Sequence, residues 1–290
     1  MTPLGSVLVL GGTGMLGHVL LEVLSARYDT HAAVRDVERA QALGLRGPLH
    51  ALDAREPAQL ERVLDAVRPD AVINAIGLVK QLEEAARPLP AIALNALFPH
   101  ALAERCAARG VRLVHVSTDC VFSGSLPPPA AYTEDDPADA RDLYGMTKLL
   151  GEVHADGALT VRTSIVGWEL ERASGLLEWF AAQDGRTVAG YSNAYFSGLT
   201  TRALARVLSD VLADHPSLSG LYHVSSERIS KLDLLMRLRE ALRMHCEITP
   251  VQEPRINRAL DSRRFREVTA IAIPGWAEMI DEYRRGGPEL

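Results

Sequence analysis

A tyrosine and a lysine four residues apart, Tyr144 and Lys148 in the string YGMTK, could carry out proton transfer. They stand at the start of a helical pattern, so both side chains fall on one helix face. A tyrosine ordinarily has a pKa of about 10, and a neighbouring ammonium lowers that pKa, which favours proton exchange near neutral pH. The spacing predicts an acid–base pair, although the same string also fits a solvated helix face.

A hydroxyl that could complete this pair ends a predicted strand. Thr118 belongs to the string HVSTD, and active sites of α/β proteins lie at the carboxyl edge of the sheet. Its hydroxyl would hold a substrate oxygen beside the phenol of Tyr144. Alternation along the strand points the neighbouring Ser117 to the other face, so Thr118 is predicted as the third catalytic residue.

A glycine-rich string, GGTGMLG, directly follows the first apolar run and precedes a helical pattern. Glycines let a backbone turn sharply and approach a pyrophosphate, and the following helix offers free N–H groups at its positive end. A tight turn without a ligand is the alternative, but the position between strand and helix favours dinucleotide binding. The predicted contacts are Gly11, Thr13, Gly14, Met15, Leu16 and Gly17.

The residues after the next strands indicate which dinucleotide binds. The second strand ends in Arg35 followed by Asp36. A guanidinium suits a 2′-phosphate, which favours NADP(H), whereas Asp36 on a ribose hydroxyl would allow NAD(H). Asp53, after a third strand, could accept a hydrogen bond from the adenine amino group, or could be a loop or helix-capping acid.

Short apolar runs alternate with helical patterns through the first half of the chain, which predicts an α/β fold with a doubly wound parallel sheet of Rossmann type. The predicted strands are Val7 to Leu10, Thr30 to Val34, Pro48 to Leu52, Ala71 to Gly77, Val111 to Ser117, Leu159 to Gly167 and Leu221 to Ser226. Helices are expected at Leu16 to Ala26, Pro57 to Val67, Ala91 to Arg109 and Leu143 to His154, and at Leu176 to Gln183, Thr200 to Ala213 and Leu232 to Arg243. The Pro-rich segment 126–140 reads as a surface loop that could close over a ligand. We expect a dinucleotide-binding domain at 1–167 and 199–226, and a smaller C-terminal α/β substrate domain at 168–198 and 227–290.

The composition limits the partners, the cellular location and the kinds of site that are expected. The 290 residues include 31 Lys and Arg against 37 Asp and Glu, a net charge of -6, without a basic aromatic stripe, so nucleic acid is not expected to bind. Three scattered cysteines predict reduced thiols and a cytoplasmic location. No apolar stretch reaches membrane-spanning length. The nine histidines form no metal-binding spacing, so no metal site is expected.

Several strings together resemble the extended short-chain dehydrogenase/reductase superfamily, and most of all its dTDP-4-dehydrorhamnose reductase branch. They span nearly the whole chain: GGTGMLG (11–17), NAIG (74–77), STDCVFSG (117–124), YTEDDP (132–137), YGMTKLLGE (144–152), VRTSIVG (161–167) and NRALDSRRF (257–265). Two positions depart from the branch, Cys120 where an aromatic residue is usual and Arg258 where serine is typical. These departures leave the identity of the sugar open.

The resemblance implies roles for particular residues. Thr118, Tyr144 and Lys148 match the superfamily triad, with Lys148 also bonding the nicotinamide ribose. The nicotinamide and the Lys148 ammonium would lower the pKa of Tyr144. Further contacts to the cofactor are expected at Ala75, Gly77, Ser164 and Val166, while placement alone suggests that Arg162 or Asn193 reaches the substrate.

The implied activity is an NADPH-dependent reductase of a nucleotide-linked 4-keto-6-deoxysugar, with Tyr144 as general acid and a homodimer as the expected assembly. Two other functions stay open. One is a sugar-nucleotide epimerase or dehydratase that retains NAD, and the other is a non-catalytic dinucleotide-binding subunit that regulates a partner enzyme. The intact triad argues against the regulatory subunit.

Overall fold

The computed structural model of the chain describes residues 5–80, 82–171 and 173–286. The ends of the expected domain ranges, residues 1–4 and 287–290, lie outside these residues. The strands are β1 (Ser6–Leu10), β2 (Asp29–Val34), β3 (Leu49–Ala51), β4 (Ala71–Asn74), β5 (Arg112–Thr118), β6 (Ala158–Thr163), β7 (Ile165–Val166), β8 (Thr187–Tyr191), β9 (Ala194–Phe196), β10 (Leu199–Thr200), β11 (Gly220–His223), β12 (Ile229–Ser230), β13 (Glu247–Val251) and β14 (Ile256–Asn257).

Seven parallel strands form the main sheet, in the order β11-β6-β5-β4-β1-β2-β3. The chain winds outward from β1 in one direction and then from β4 in the other, which opens a crevice at the carboxyl ends of these two strands. The predicted doubly wound parallel sheet is confirmed.

Helices cover both faces of this sheet. They are α1 (Gly17–Leu24), α2 (Val37–Ala42), α3 (Pro57–Val67), α4 (Pro88–Ala91), α5 (Phe98–Ala108), α6 (Leu143–Leu150), α7 (Leu176–Ala181), α8 (Thr201–Asp214), α9 (Lys231–Ala241), α10 (Arg263–Thr269) and α11 (Trp276–Gly286). A π-helical stretch, Ile92–Leu97, joins α4 to α5, so the predicted helix at Ala91 to Arg109 is present and begins slightly earlier.

The apolar runs of the central strands are continuous because β1, β4, β5 and β6 each have a core on both sides. Val7 and Val9 of β1 pack in one cluster with α1, α8, α9 and α11, whereas Leu8 and Leu10 pack in another with α3 and α5. Successive side chains of a strand point to opposite faces, so a strand buried twice needs no polar positions.

The region after β6 differs from its sequence-based description. The run at Leu159 to Gly167, predicted as one strand, is two, because Ser164 interrupts it and β7 pairs with β10 outside the main sheet. The small sheets β12-β9-β14 and β13-β8 were not predicted, nor were α2, α10 and α11. The small strands, α2 and α10 are short, so their sequence carries little periodic signal. In α11 the apolar residues Trp276, Met279, Ile280 and Tyr283 do follow helical spacing, and this signal was missed.

The segment 126–140 contains no helix or extended strand, as predicted. It is nevertheless held in place, because the side-chain amide of Asn257 donates to the carbonyl oxygens of Leu126 (3.1 Å) and Ala130 (2.8 Å). The backbone N–H of Tyr132 donates to the carbonyl of Ala259 at 2.8 Å. The loop is therefore bound to the C-terminal part of the chain. Over the described ranges, no helix combines the length and the apolar character that crossing a membrane requires.

Candidate active site

The glycine-rich turn after β1 is built on bare backbone. A Cβ atom on Gly17 would lie 2.0 Å from the carbonyl oxygen of Gly11, and Gly11 itself has a φ of +85°. The N–H of Gly14 donates to that same carbonyl at 2.9 Å, which closes the turn, and α1 begins at Gly17. Side chains are excluded here, so a phosphate group can approach the start of α1 closely.

A cavity of about 450 Å³ runs along the carboxyl edge of the sheet from this turn. Its volume is in the range of small-molecule sites. All but two of the predicted catalytic and cofactor-binding residues line it, namely Gly11, Thr13, Gly14, Met15, Leu16, Arg35, Asp53, Ala75, Gly77, Thr118, Tyr144, Lys148 and Ser164. Gly17 lies behind the turn against Gly11, and Val166 is buried in the core beside the cavity.

The end of the cavity beside β2 carries the residues that would select the dinucleotide. Arg35 is exposed and lines the cavity, whereas the carboxylate of Asp36 accepts from the N–H of Arg39 and caps α2. The carboxylate of Asp53 binds the guanidinium of Arg55, whose Nε lies 2.9 Å from Oδ1, and this contact lowers the pKa of Asp53 to about 2. The guanidinium of Arg35 is therefore available to bind a phosphate. The carboxylate of Asp53, which lines the same cavity, is ionised.

Tyr144 is held at the other end by the way α6 begins. The carboxylate of Asp142 accepts from the N–H of Gly145 at 2.8 Å and caps the helix. A Cβ on Gly145 would lie 2.3 Å from the carbonyl oxygen of Cys120, so glycine allows α6 to pack against the turn that follows β5. This packing brings Tyr144 next to Thr118.

The expectation that the pKa of Tyr144 is lowered is wrong for the protein's own groups. Burial raises this pKa above its usual range, the nearby Cys120 adds to the shift, and a hydrogen bond with Thr118 only partly opposes it. Desolvation disfavours the phenolate and outweighs the other contributions. At neutral pH the phenol of Tyr144 therefore holds its proton.

Lys148 lies one turn further along α6 and is 5% exposed. Its Nζ donates to the carbonyl of Val116 at 2.8 Å, which fixes the ammonium under the cavity. Burial lowers its pKa to about 8, while the carboxylate of Glu152 acts in the opposite direction. The side chain of Lys148 is therefore mostly charged at neutral pH and loses its proton as the pH rises through about 8.

Thr118 is buried and closes the triad. Its Oγ1 accepts from the N–H of Cys120 at 3.1 Å and lies 3.3 Å from Oδ1 of Asp119. The hydroxyl is thereby oriented by the turn after β5, at the cavity wall shared with Tyr144. A substrate carbonyl placed between these two residues would meet two hydroxyl groups.

A buried ion pair lies beneath the triad. Nε and Nη2 of Arg162 each donate to a different oxygen of Glu152 at 2.8 Å, and Ser117 donates to Oε1 at 2.8 Å. The side chain of Arg162 is 5% exposed and that of Glu152 is 1% exposed. The suggestion that Arg162 reaches the substrate is therefore wrong, because its guanidinium is committed to Glu152 inside the protein. The other suggested residue, Asn193, donates to the carbonyl of Gln252 and lies outside the cavity wall.

Sequence reasoning missed the segment after β7. Glu169, Glu171, Ser174 and Gly175 line the cavity, and the carboxylate of Glu169 accepts from the N–H of Ser174 at 2.7 Å. Glu171 pairs with Arg39 of α2, which ties this segment to the other side of the cavity. The segment has neither helical nor strand period, so no pattern could have identified it. In the described part of the chain, no group of three or more His, Cys, Asp or Glu residues could hold a metal ion.

Comparisons with known proteins show which family the chain belongs to. Probable low-salt glycan biosynthesis reductase Agl14 of Haloferax volcanii is 30% identical over 76% of this chain and 74% of that protein. A dTDP-4-dehydrorhamnose reductase of Streptomyces griseus is 35% identical over 54% of this chain, but the match spans only 48% of that protein. The solved structure of dTDP-4-dehydrorhamnose reductase from Bacillus anthracis in complex with NADP has the same fold, with a TM-score of 0.82 at 21% identity over 98% of this chain and 99% of that one. The sequence model of the RmlD substrate binding domain family matches residues 5–284, and the chain belongs to that family.

Proposed function

We propose that this protein is an NADPH-dependent reductase of a nucleotide-linked 4-keto-6-deoxysugar. The observation that carries the proposal is the meeting of Thr118, Tyr144 and Lys148 at one end of a cavity whose other end is a bare glycine turn. The curated relatives named above are reductases. The turn also fits a dinucleotide, since Gly17 lets the start of α1 pack against the backbone of Gly11, where a Cβ would lie 2.0 Å from its carbonyl oxygen.

The protonation state of Tyr144 fits the direction of reduction. NADPH, when bound, supplies a hydride to the carbonyl carbon, so the carbonyl oxygen must gain a proton. Tyr144 keeps its phenolic proton at neutral pH because burial raises its pKa. Its hydroxyl therefore donates the proton to the carbonyl oxygen, and Thr118 holds that oxygen by a hydrogen bond.

Lys148 balances the charge that this transfer creates. Its ammonium, anchored on the carbonyl of Val116, would stabilise the phenolate that Tyr144 becomes. Proton transfer by a positioned group contributes about 10²- to 10⁴-fold to a rate, and a fixed charge beside the group stabilises the charge that develops. The same ammonium can hydrogen-bond the nicotinamide ribose, because Lys148 and Gly77 line the same wall.

The residues at the β2 end favour NADPH over NADH. Arg35 is exposed at the cavity and makes no ion pair within the described ranges, while Asp36 is used as a helix cap. A guanidinium binds a 2′-phosphate through paired hydrogen bonds. Gly17 and Val166 act from behind the wall, through the shape of the turn and the packing of β7.

The remaining parts of the proposal concern organisation. The dinucleotide would bind to residues 1–167 and 199–226, and the sugar nucleotide would contact 168–198 and 227–290. We expect a cytoplasmic homodimer; the large apolar side chains of Leu97 and Leu150, each 65% exposed, support the assembly because exposed apolar surface favours association. Sedimentation velocity measures the assembly directly.

The test measures NADPH oxidation by its absorbance, with a panel of nucleotide-linked 4-keto-6-deoxysugars as substrates. Tyr144→Phe is expected to lower kcat by about 10³-fold while leaving the Kd for NADPH within about twofold. Tyr191→Phe is the matched control, since Tyr191 is 40% exposed on β8 and lies outside the cavity wall. Normal turnover by Tyr144→Phe would rule the mechanism out.

A second arm tests the cofactor. Arg35→Gln is expected to weaken NADPH binding about tenfold and to leave NADH binding nearly unchanged. Cofactor that stays bound through gel filtration without net oxidation would instead support an epimerase. A stoichiometric partner that copurifies with a chain inactive on every keto sugar would support the regulatory subunit.

A further inference from the structure

A buried carboxyl beside the triad has no place in the proposed proton transfer. Asp119 is 6% exposed, follows Thr118 directly and lines the cavity together with Thr118 and Tyr144. Its Oδ1 lies 3.3 Å from Oγ1 of Thr118, and no ion pair within 4.0 Å neutralises the carboxyl in the described ranges. A buried carboxyl in a cleft that is not paired with a cation is a candidate for a functional role.

The hydrogen-bonding capacity of the Thr118 hydroxyl is limited to one proton that it donates and two lone pairs that accept. One lone pair accepts from the backbone N–H of Cys120 at 3.1 Å. The proton and the second lone pair are left for the carboxyl of Asp119 on one side and the cavity on the other. The direction of the hydrogen bond between Thr118 and Asp119 therefore decides which of the two faces the cavity.

The protonation state of Asp119 sets this direction. An ionised carboxylate only accepts, so Thr118 must donate its proton to Oδ1 and present a lone pair to the cavity. A protonated carboxyl can instead donate to Oγ1, which fills the second lone pair and leaves the Thr118 proton for the cavity. A ketone oxygen only accepts hydrogen bonds, so it can bond to Thr118 in the second case alone.

The surroundings of Asp119 favour the protonated form. Burial raises the pKa of this carboxyl, because its charge would lose hydration inside the protein. The charges of Arg258 after β14 and Lys231 on α9 oppose that shift, and so does a hydrogen bond with the Cys120 thiol. Cys120 and Tyr144 are themselves neutral, since burial raises their pKa values. Asp119 therefore keeps its proton to a higher pH than an exposed aspartate does.

We propose that Asp119 is a positioning residue that, when protonated, turns the Thr118 hydroxyl towards the substrate carbonyl. This inference rests on the proposed function, because it concerns how Thr118 holds the reacting oxygen. It also gives the site a preference between ketone and alcohol. The alcohol product has a proton of its own to donate, so it can bond to the Thr118 lone pair that an ionised Asp119 exposes. Rising pH therefore weakens the binding of the ketone more than that of the alcohol.

The first measurement is the pH dependence of kcat/KM for reduction. In the wild type we expect a downward step of about tenfold as Asp119 ionises, separate from the continuous decline above about pH 8 that loss of the Lys148 charge causes. Asp119→Asn offers an amide donor at every pH and should keep the higher rate without the step. Asp119→Ala offers no donor, so its rate should be about tenfold lower at low pH, again without the step. Asp136→Asn is the matched control and should keep the step, because Asp136 accepts from the Thr133 hydroxyl at 2.9 Å outside the cavity wall.

Two further readouts separate positioning from a merely structural role. Infrared difference spectra between the wild type and Asp119→Asn, both saturated with NADP, should show the band of a protonated carboxyl that disappears across the same pH step. Thr118→Val should lack the step, and adding Asp119→Asn to it should change the rate little, because Asp119 acts through Thr118.

The outcomes also distinguish this inference from the proposed function. A carboxyl that is ionised at every pH tested, or a step that persists in Asp119→Asn, would overturn the positioning role of Asp119 while reduction itself stands. Inactivity of the wild type on every keto sugar would reject the proposed function and this inference with it.

Discussion

The two ends of the cavity are built in different ways. The dinucleotide turn is contiguous, since β1, the glycines and α1 occupy residues 6–24. The other end is assembled from distant segments, because Thr118 ends β5, Tyr144 belongs to α6 and Glu169 follows β7. Local sequence sets the geometry of the first end, whereas the packing of the whole chain sets that of the second.

The largest effect, a loss of folding stability, is expected at the buried ion pair between Arg162 and Glu152. Arg162 on β6 bonds Glu152 after α6 and lies 5.1 Å from the ring centre of Phe122. Arg162→Met leaves the Glu152 carboxylate buried without a cation, so the free energy of unfolding should fall by about 3–5 kcal/mol in urea denaturation. Arg255→Met, at an exposed pair, should cost at most about 1 kcal/mol. Equal losses in the two variants would contradict this account.

A smaller but more selective effect is expected at the contiguous end. Gly17→Ala places a Cβ 2.0 Å from a backbone oxygen that has nowhere to move, so the turn must open. NADPH binding should weaken by at least about 100-fold, or ~2.7 kcal/mol, in fluorescence titration. Gly14→Ala meets the same oxygen at 3.2 Å and should weaken binding less. If both variants bound NADPH like the wild type, the turn would not be the pyrophosphate site.

The pH dependence of kcat/KM tests the role of the charge on Lys148. Because the pKa of Lys148 is lowered to about 8, the ammonium is lost as pH rises through that value. We expect kcat/KM for reduction to fall about tenfold per pH unit above about pH 8. An active Lys148→Arg variant should lack this decline, since arginine stays charged. A flat wild-type profile up to about pH 9.5 would show that the ammonium is not required.

The contrast between the ends also explains what the sequence could reveal. The glycine turn, Thr118 and the pair Tyr144 and Lys148 were predicted, because each is placed by a strand end or by helical spacing within a few residues. The order of apolar runs likewise predicted the main sheet. In both cases the signal and the structure are local.

Other features left no local signal. The segment containing Glu169 and Glu171 is irregular, and it is held by an ion pair with Arg39 and a hydrogen bond to Glu178, neither of which a local pattern reports. The raised pKa of Tyr144 follows from burial, which spacing does not report. Arg162 was misjudged for the same reason, since only the folded core shows that Glu152 binds it. Sequence reasoning thus located the predicted triad but not the surroundings that set the charge of its side chains.

The most direct test of the central claim follows the hydride itself. The wild type is incubated with NADPH carrying deuterium at the transferable C4 position and with a nucleotide-linked 4-keto-6-deoxysugar that it consumes. Mass spectrometry and NMR then locate the label. Deuterium at C4 of the product sugar, formed in equal amount to oxidised cofactor and lost in Tyr144→Phe, is the predicted result. A converted sugar without label, with the deuterium still on the cofactor, would contradict the account.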